Sequence, residues 1–253
     1  MNIFKSKNYV ISGSSRGIGL SIANIILENG GNILITGRDE EQLNKIYLRL
    51  KKKYKNVVIL KQYGDLLNSD TYVKINKLLK KEKWTKISGI VANAGQVDSK
   101  KNKANQQDIS WHLNANFFLS VNFVNNFLDN YNCKSSSIIF ISSIASNLHI
   151  RSPFGYSSGK ILLNHYSKYL SMSLHNQDIK VNTISPGNIF FRDGNWDIKL
   201  KKNKKKINNY IKKNVPLNRF GKPDEIASIV YFLFSGKSDF INGSNISCDG
   251  GQI

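Results

Sequence analysis

Cysteine is nearly absent from this chain. Cys133 and Cys248 are the only two in 253 residues, which excludes a disulfide framework and a dense thiolate metal site. Long apolar runs are missing as well: stretches such as 138–141 fall far short of the ~20 residues that cross a bilayer, so no transmembrane segment is expected. Residues 1–9 carry lysines, but the apolar stretch behind them breaks at once into Ser12-Gly13-Ser14-Ser15. That leaves no hydrophobic region for a secretion signal, and a soluble cytoplasmic chain is expected. Acidic residues are scarce too, 17 against 37 Lys and Arg, for a formal charge of +20. Such an excess raises the question of a polyanionic partner. It is almost entirely Lys, 31 of the 37, alongside abundant Asn, and reads as a biased coding composition more than as a nucleic-acid surface.

What remains is ample for a core. Hydrophobic residues at 40% and aromatics at 11% exclude global disorder and a rod-like chain. No linker divides the sequence, so 1–253 is expected to be a single domain. β-branched runs at 9–12, 32–36, 57–61, 88–92, 137–142, 180–184 and 245–248 alternate with amphipathic stretches at 17–29, 40–53, 70–83, 106–130, 154–175 and 224–234. That alternation predicts an α/β fold, a doubly wound domain with a seven-stranded parallel sheet flanked by helices. Right-handed crossovers would cover both faces and open a ligand crevice at the carboxyl ends of the strands, so function is expected in the strand-to-helix loops. One segment, 199–213, stands apart with eight lysines and no acid.

The first such loop, Ser12-Gly13-Ser14-Ser15-Arg16-Gly17-Ile18-Gly19, opens a helix. Its glycines permit a tight turn and close backbone approach, so free N–H groups at the helix start can hold a pyrophosphate. Gly13, Ser15, Arg16, Gly17, Ile18 and Gly19 are the candidate contacts. The loop resembles the TGxxxGxG fingerprint of the short-chain dehydrogenases/reductases, with Ser12 in place of the usual Thr. Further matches follow in that family's order: Ala92-Asn93-Ala94-Gly95, Asn116, Ser143, Tyr156 with Lys160, Pro186-Gly187, the run from Pro216 to Ala227, and Asp249-Gly250-Gly251. The resemblance spans essentially the whole chain. It implies a Rossmann-type fold and hydride transfer between a nicotinamide coenzyme and a carbonyl or secondary alcohol, as in 3-oxoacyl-[acyl-carrier-protein] reductases and related carbonyl reductases.

The chemistry of these residues can be argued directly. Tyr156 and Lys160 lie four residues apart in a helical stretch, so both project from one face. A neighbouring ammonium is expected to lower the phenol pKa from about 10 towards working pH, making Tyr156 an acid for reduction and a base for oxidation. Ser143 ends a strand, where its hydroxyl can meet a carbonyl oxygen as negative charge develops. Ser142 is the alternative, although the thirteen-residue spacing from Ser143 to Tyr156 resembles the family's. The resemblance gives Asn116 a water-holding place in a proton relay to Lys160, with Asn114 as the competing position. It also implies Asp65 at the adenine edge and Asn93, with Ala94 and Gly95, near the ribose. Pro186 and Gly187 would lead to Ile189, whose backbone holds the nicotinamide amide, while Lys160 beside Tyr156 bonds the nicotinamide ribose. Where the family often has a Thr after this run, the chain has Phe190 and Phe191.

Charge decides the expected coenzyme. No acid ends the second strand until Asp39, while Arg16 and Arg38 flank the place where a 2′-phosphate would sit, which favours NADP(H) over NAD(H). The stretch 190–215 occupies the place of the family's variable substrate lid. Its lysines read as a solvated face, or as a means of attracting an anionic substrate such as an acyl thioester on a carrier protein, a CoA ester or a nucleotide-linked sugar. Nucleic acid is the weakest reading, because only Tyr210 interrupts the basic run. Carrier-protein reductases place basic residues beside the active-site opening, and the matching positions here are Lys134 and Gln177. A sugar or nucleotide-sugar oxidoreductase competes with the thioester reading, and a non-catalytic dinucleotide-binding scaffold or sensor competes with both. The resemblance also implies a homotetramer or homodimer, joined through the helices holding Asn116 and Tyr156 and through the C-terminal region.

Overall fold

The computed structural model describes residues 2–148 and 150–252. Seven strands, β1 (Asn8–Ile11), β2 (Asn32–Gly37), β3 (Ile59–Tyr63), β4 (Gly89–Ala92), β5 (Ser137–Ile141), β6 (Lys180–Pro186) and β7 (Asn245–Cys248), pair in the order β3-β2-β1-β4-β5-β6-β7. Every pairing is parallel. All seven expected strands are present, with ends shifted by a residue or two. The helices are α1 (Gly17–Glu28), α2 (Glu40–Lys53), α3 (Ser69–Lys81), α4 (Gln106–Leu113), α5 (Leu119–Asn130), α6 (Phe154–Ser173), α7 (Asn195–Lys202), α8 (Lys204–Asn214) and α9 (Pro223–Phe234). Among the described residues, no helix is long and apolar enough to cross a membrane.

Successive side chains of a strand point to opposite faces, and both faces of this sheet are apolar. Ile33, Ile35, Val91, Ile139 and Ile184 pack with Ile22 and Ile26 of α1, Leu43 of α2 and Val230 of α9. Their neighbours Leu34, Ile90, Ile138, Phe140 and Val181 pack with Ile75 of α3, Phe123 and Phe127 of α5 and Leu163 of α6. Phe127 has no solvent exposure and meets Phe123 edge-on at 5.0 Å between ring centroids. Phe127→Ala is therefore expected to destabilise the protein by about 3–5 kcal/mol, read from the urea midpoint at unchanged slope.

Two elements depart from the expected pattern. The stretch 106–130 is not one regular helix, because a π-helical turn over Asn114–Phe118 separates α4 from α5. One residue of extra winding is invisible to a 3.6-residue pattern read over so long a stretch. The stretch 190–215 is the second departure, since it contains α7 and α8 where no helix was expected. In α8 the apolar residues Ile207, Tyr210 and Ile211 recur at helical spacing, with Ile211 buried, but the surrounding lysines dilute that signal.

Candidate active site

Strand order reverses around β1, whose neighbours β2 and β4 lead to opposite halves of the sheet, and a crevice opens above their carboxyl ends. Ser12 ties the two halves together there. Its Oγ accepts the backbone N–H groups of Asn93 and Ala94, each at 2.9 Å, so it satisfies two donors that leave β4. Asn93 returns the tie, its Nδ2 donating to the carbonyls of Ser12 at 3.1 Å and Gly13 at 2.9 Å. Close approach excludes any side chain at Gly19, where a β-carbon would stand 2.4 Å from the Gly13 oxygen. The turn therefore brings backbone N–H groups to the start of α1 with no β-carbon at Gly17 or Gly19.

Ser15 lies against Gly37 at the end of β2, within 3.3 Å of where a β-carbon there would be. That contact sets Arg38 beside the glycine turn, and Arg16 and Arg38 are both exposed. The nearby carboxylate of Asp39 is engaged elsewhere, its Oδ1 accepting Gln42 N–H at 2.9 Å to cap α2. Asp65, just after β3, is exposed and accepts Leu67 N–H at 2.9 Å.

The catalytic candidates converge on the other side of β4. Lys160 is 4% exposed, and its Nζ donates to the Ile141 carbonyl at 2.8 Å. A β-carbon on Gly95 would lie 2.8 Å from Asn116 Oδ1 and 3.3 Å from Lys160 Nζ, so these three residues meet at one point. Asn116 is fully buried, with Nδ2 donating to the carbonyls of Gln96 at 2.7 Å and His112 at 2.9 Å and Oδ1 accepting Gln96 N–H at 3.0 Å. Asn114 is exposed on the far side of the π turn. Helix α6 reaches this cluster because Gly155 and Gly159 let it press against α4, where a Gly155 β-carbon would stand 2.8 Å from Ile109 Cα.

The two serines also separate. Ser142 is buried with its hydroxyl donating to the Lys160 carbonyl at 3.2 Å, whereas Ser143 hydrogen-bonds the Tyr156 phenol. The expectation for the phenol itself is overturned. Burial pushes the Tyr156 pKa above the usual tyrosine value, and the Ser143 hydrogen bond offsets only part of that. Lys160 does not reverse it, because Nζ is 6.0 Å from the Tyr156 ring centroid and burial pulls its own pKa down to about 8.

Ile189 is joined to Gly221 by an isolated parallel bridge, made through Phe190 N–H to Gly221 O at 2.9 Å and Gly221 N–H to Asn188 O at 3.0 Å. In a parallel bridge of this pattern the Ile189 N–H and C=O face the opposite side, where they have no backbone partner among the described residues. Pro186 ends β6, and Gly187 N–H bonds the Cys248 carbonyl at 2.9 Å, holding that run in place. A glycine turn, two exposed arginines and an outward-facing peptide edge together fit a dinucleotide phosphate, with one obstacle. The ring of Phe191 rests on Gly17.

Three features escaped the sequence reading. Phe191 is one, because nothing local announces a contact with the glycine turn. His112 is another: it is fully buried one turn before Asn116, its ring lies edge-on to Tyr156 at 6.3 Å, Nε2 meets the Lys101 carbonyl at 3.1 Å and Nδ1 has no partner among the described residues. Gln96, which clasps Asn116, is the third. Conversely, Lys134 and Gln177 do not flank the site. They precede β5 and β6, joined by Ser135 N–H to Gln177 O at 3.1 Å, and so lie at the amino-terminal edge of the sheet, opposite the catalytic cluster.

A Ser–Tyr–Lys cluster next to a glycine turn, at the switch point of an all-parallel sheet, defines a Rossmann-type oxidoreductase. Residues 13–252 match the family model described as enoyl-(acyl carrier protein) reductase, and the chain belongs to the short-chain dehydrogenase/reductase family. It is 30% identical over 253 residues, 99% of each chain, to a 3-oxoacyl-[acyl-carrier-protein] reductase of Chlamydia muridarum. An L-rhamnose 1-dehydrogenase (NADP(+)) of Thermoplasma acidophilum is 27% identical over 256 residues, covering 99% of this chain and 97% of that one. Among solved structures, L-sorbose reductase from Gluconobacter frateurii in complex with NADPH and L-sorbose superposes with a TM-score of 0.89 at 25% identity, over 100% of this chain and 98% of that chain.

Proposed function

We propose that the protein is an NADP(H)-dependent reductase acting on the carbonyl of a 3-oxoacyl thioester or a similar anionic substrate, as one domain with a lid at 190–215. The coenzyme, when bound, supplies the hydride. Ser143 and Tyr156 bind the carbonyl oxygen from two sides, and Tyr156 donates its phenolic proton there as negative charge develops. Burial keeps that phenol protonated at neutral pH, which is the form a reduction needs. Lys160 keeps an ammonium beside the phenol and would bond the nicotinamide ribose when the coenzyme is bound. Asn116 braces the Gln96 loop and stands beside Lys160 on the path for returning protons. The convergence of Lys160, Asn116 and Gly95 next to the Ser143–Tyr156 pair is the observation that carries the reading.

The lid supports an acyl substrate with an anionic carrier. Trp196 stacks on Tyr210 at 5.6 Å and meets Phe220 at 5.4 Å, and Phe220 meets Phe190 at 5.9 Å, giving an apolar wall. Around it the lysines of α7 and α8 are exposed. The named relatives that act on rhamnose and sorbose favour a sugar as the second reading. Following NADPH consumption with acetoacetyl-CoA and with L-sorbose, and NADP+ reduction with L-rhamnose, separates them. Turnover of the sugars without the thioester would overturn the thioester assignment.

Coenzyme choice rests on Arg16 and Arg38. Replacing Arg38 with Asp is expected to reduce the NADPH-over-NADH preference in kcat/KM by roughly 10–100-fold, the range for losing a charge-assisted bond to phosphate. An unchanged ratio would refute the role. Assembly as a homotetramer or homodimer is supported by apolar side chains left open on α6, where Phe154 is 60%, Tyr169 63% and Met172 67% exposed. Elution as a 28.6 kDa species would count against assembly.

A further inference from the structure

The chain leaving β6 doubles back over the glycine turn. Phe191 aims the tip of its ring at Gly17, so that a β-carbon on Gly17 would stand 2.8 Å from Cζ and 2.9 Å from Cε1. Gly17 itself has a left-handed backbone, with φ of 55°, and presents its bare flank to the ring. Gly194 makes the arrangement possible from the other side, since a β-carbon there would stand 2.8 Å from Phe191 Cε2. A second tie crosses the same gap, Arg16 Nη1 donating to the Asp193 carbonyl at 3.5 Å. Phe191 is half-buried by these contacts, while Arg192 and Asp193 beside it are exposed.

We infer that Phe191 competes with the coenzyme's diphosphate for the glycine turn and thereby sets the affinity of this chain for its dinucleotide. The inference rests on the coenzyme reading above. No phosphate fits between Gly17 and a ring in van der Waals contact with it, so the ring must rotate away before a diphosphate can reach the N–H groups of α1. A phenyl group has no acceptor for those donors and shields them from water without bonding them. Molecules with the ring in place are closed to the dinucleotide, and the apparent dissociation constant is the intrinsic one divided by the fraction that is open, so about one open molecule in ten would weaken binding about tenfold. Of the two arginines proposed for the adenosine end, Arg16 is tied to Asp193 near the ring, whereas Arg38 follows β2, so adenosine 2′-phosphate held at Arg38 should sense the ring far less than the diphosphate does.

Calorimetric titration of the wild type, Phe191→Ala and Phe191→Thr with NADPH and, separately, with adenosine 2′-phosphate tests this without turnover. Both variants are expected to bind NADPH about tenfold more tightly, and adenosine 2′-phosphate with unchanged affinity. Two variants are used because loss of the ring could loosen the lid, and Thr restores a β-branched side chain there. If adenosine 2′-phosphate binds all three proteins alike and neither variant gains affinity for NADPH, the competition is refuted while the coenzyme reading stands. If the wild type and both variants bind neither ligand, the coenzyme reading is overturned and this inference falls with it.

Discussion

Tyr156→Phe is expected to lower kcat/KM for carbonyl reduction by roughly 10³-fold, within the range for removing a positioned general acid, and to leave the NADPH dissociation constant within about twofold. The substitution deletes one oxygen from a half-buried ring and keeps the edge contact with His112. Ser143 loses its phenol partner but keeps the Ala145 N–H, which it accepts at 3.1 Å. Folding and coenzyme binding should therefore survive while the proton donor is gone. A dinucleotide-binding scaffold predicts the opposite pattern, with no wild-type turnover to lose. Activity within tenfold of wild type on a substrate the wild type reduces would remove Tyr156 from the role assigned to it.

The second large effect is expected at Lys160, and it has two parts of opposite sign. Lys160→Met should abolish most turnover, because the ammonium beside the phenol and the ribose contact proposed for it would both be lost. The same change should raise the melting temperature at pH 7. Burial lowers the Lys160 pKa from 10.5 to about 8, which means the folded state opposes the charged form. That opposition is worth up to roughly 3 kcal/mol, less what the lost bond to the Ile141 carbonyl and any repacking take back. The cost to the wild type is fully present below pH 8, where Lys160 is protonated in both states. It fades as pH rises from about 8 to 10.5, because in that window the unfolded chain binds more protons than the folded one. The advantage of the Met variant should shrink over the same interval. A Met variant less stable than wild type at pH 7 would show that the Ile141 bond outweighs desolvation.

Much of this site is legible in the sequence because its requirements are local. The glycine turn needs residues without a β-carbon at fixed positions behind a strand, and Gly13, Gly17 and Gly19 show that spacing directly. Tyr156 and Lys160 are one helical turn apart, so their shared face follows from the helix alone. The central strands were equally readable, since β1, β2, β4 and β5 are buried on both faces and read as short apolar runs, whereas the edge strand β7 is half exposed. Other features depended on distant partners. Ser142 and Ser143 are equivalent in composition, and only the direction of each side chain sends one hydroxyl to the Lys160 carbonyl and the other to the phenol. Asn114 and Asn116 look alike until a π turn buries the second against Gln96. Lys134 and Gln177 matched positions in a family, but they enter strands rather than leave them, which puts them at the wrong edge of the sheet.

By itself the sequence determined the α/β alternation, the turn that can hold a phosphate and the residue types available for proton transfer, since each follows from backbone sterics or from spacing within one element. The tertiary structure alone decided which serine faces Tyr156, the upward direction of the phenol's pKa and the resting of Phe191 on Gly17. Those depend on the exclusion of water and on contacts between segments far apart in the chain, and neither exists until the sheet and its helices have packed.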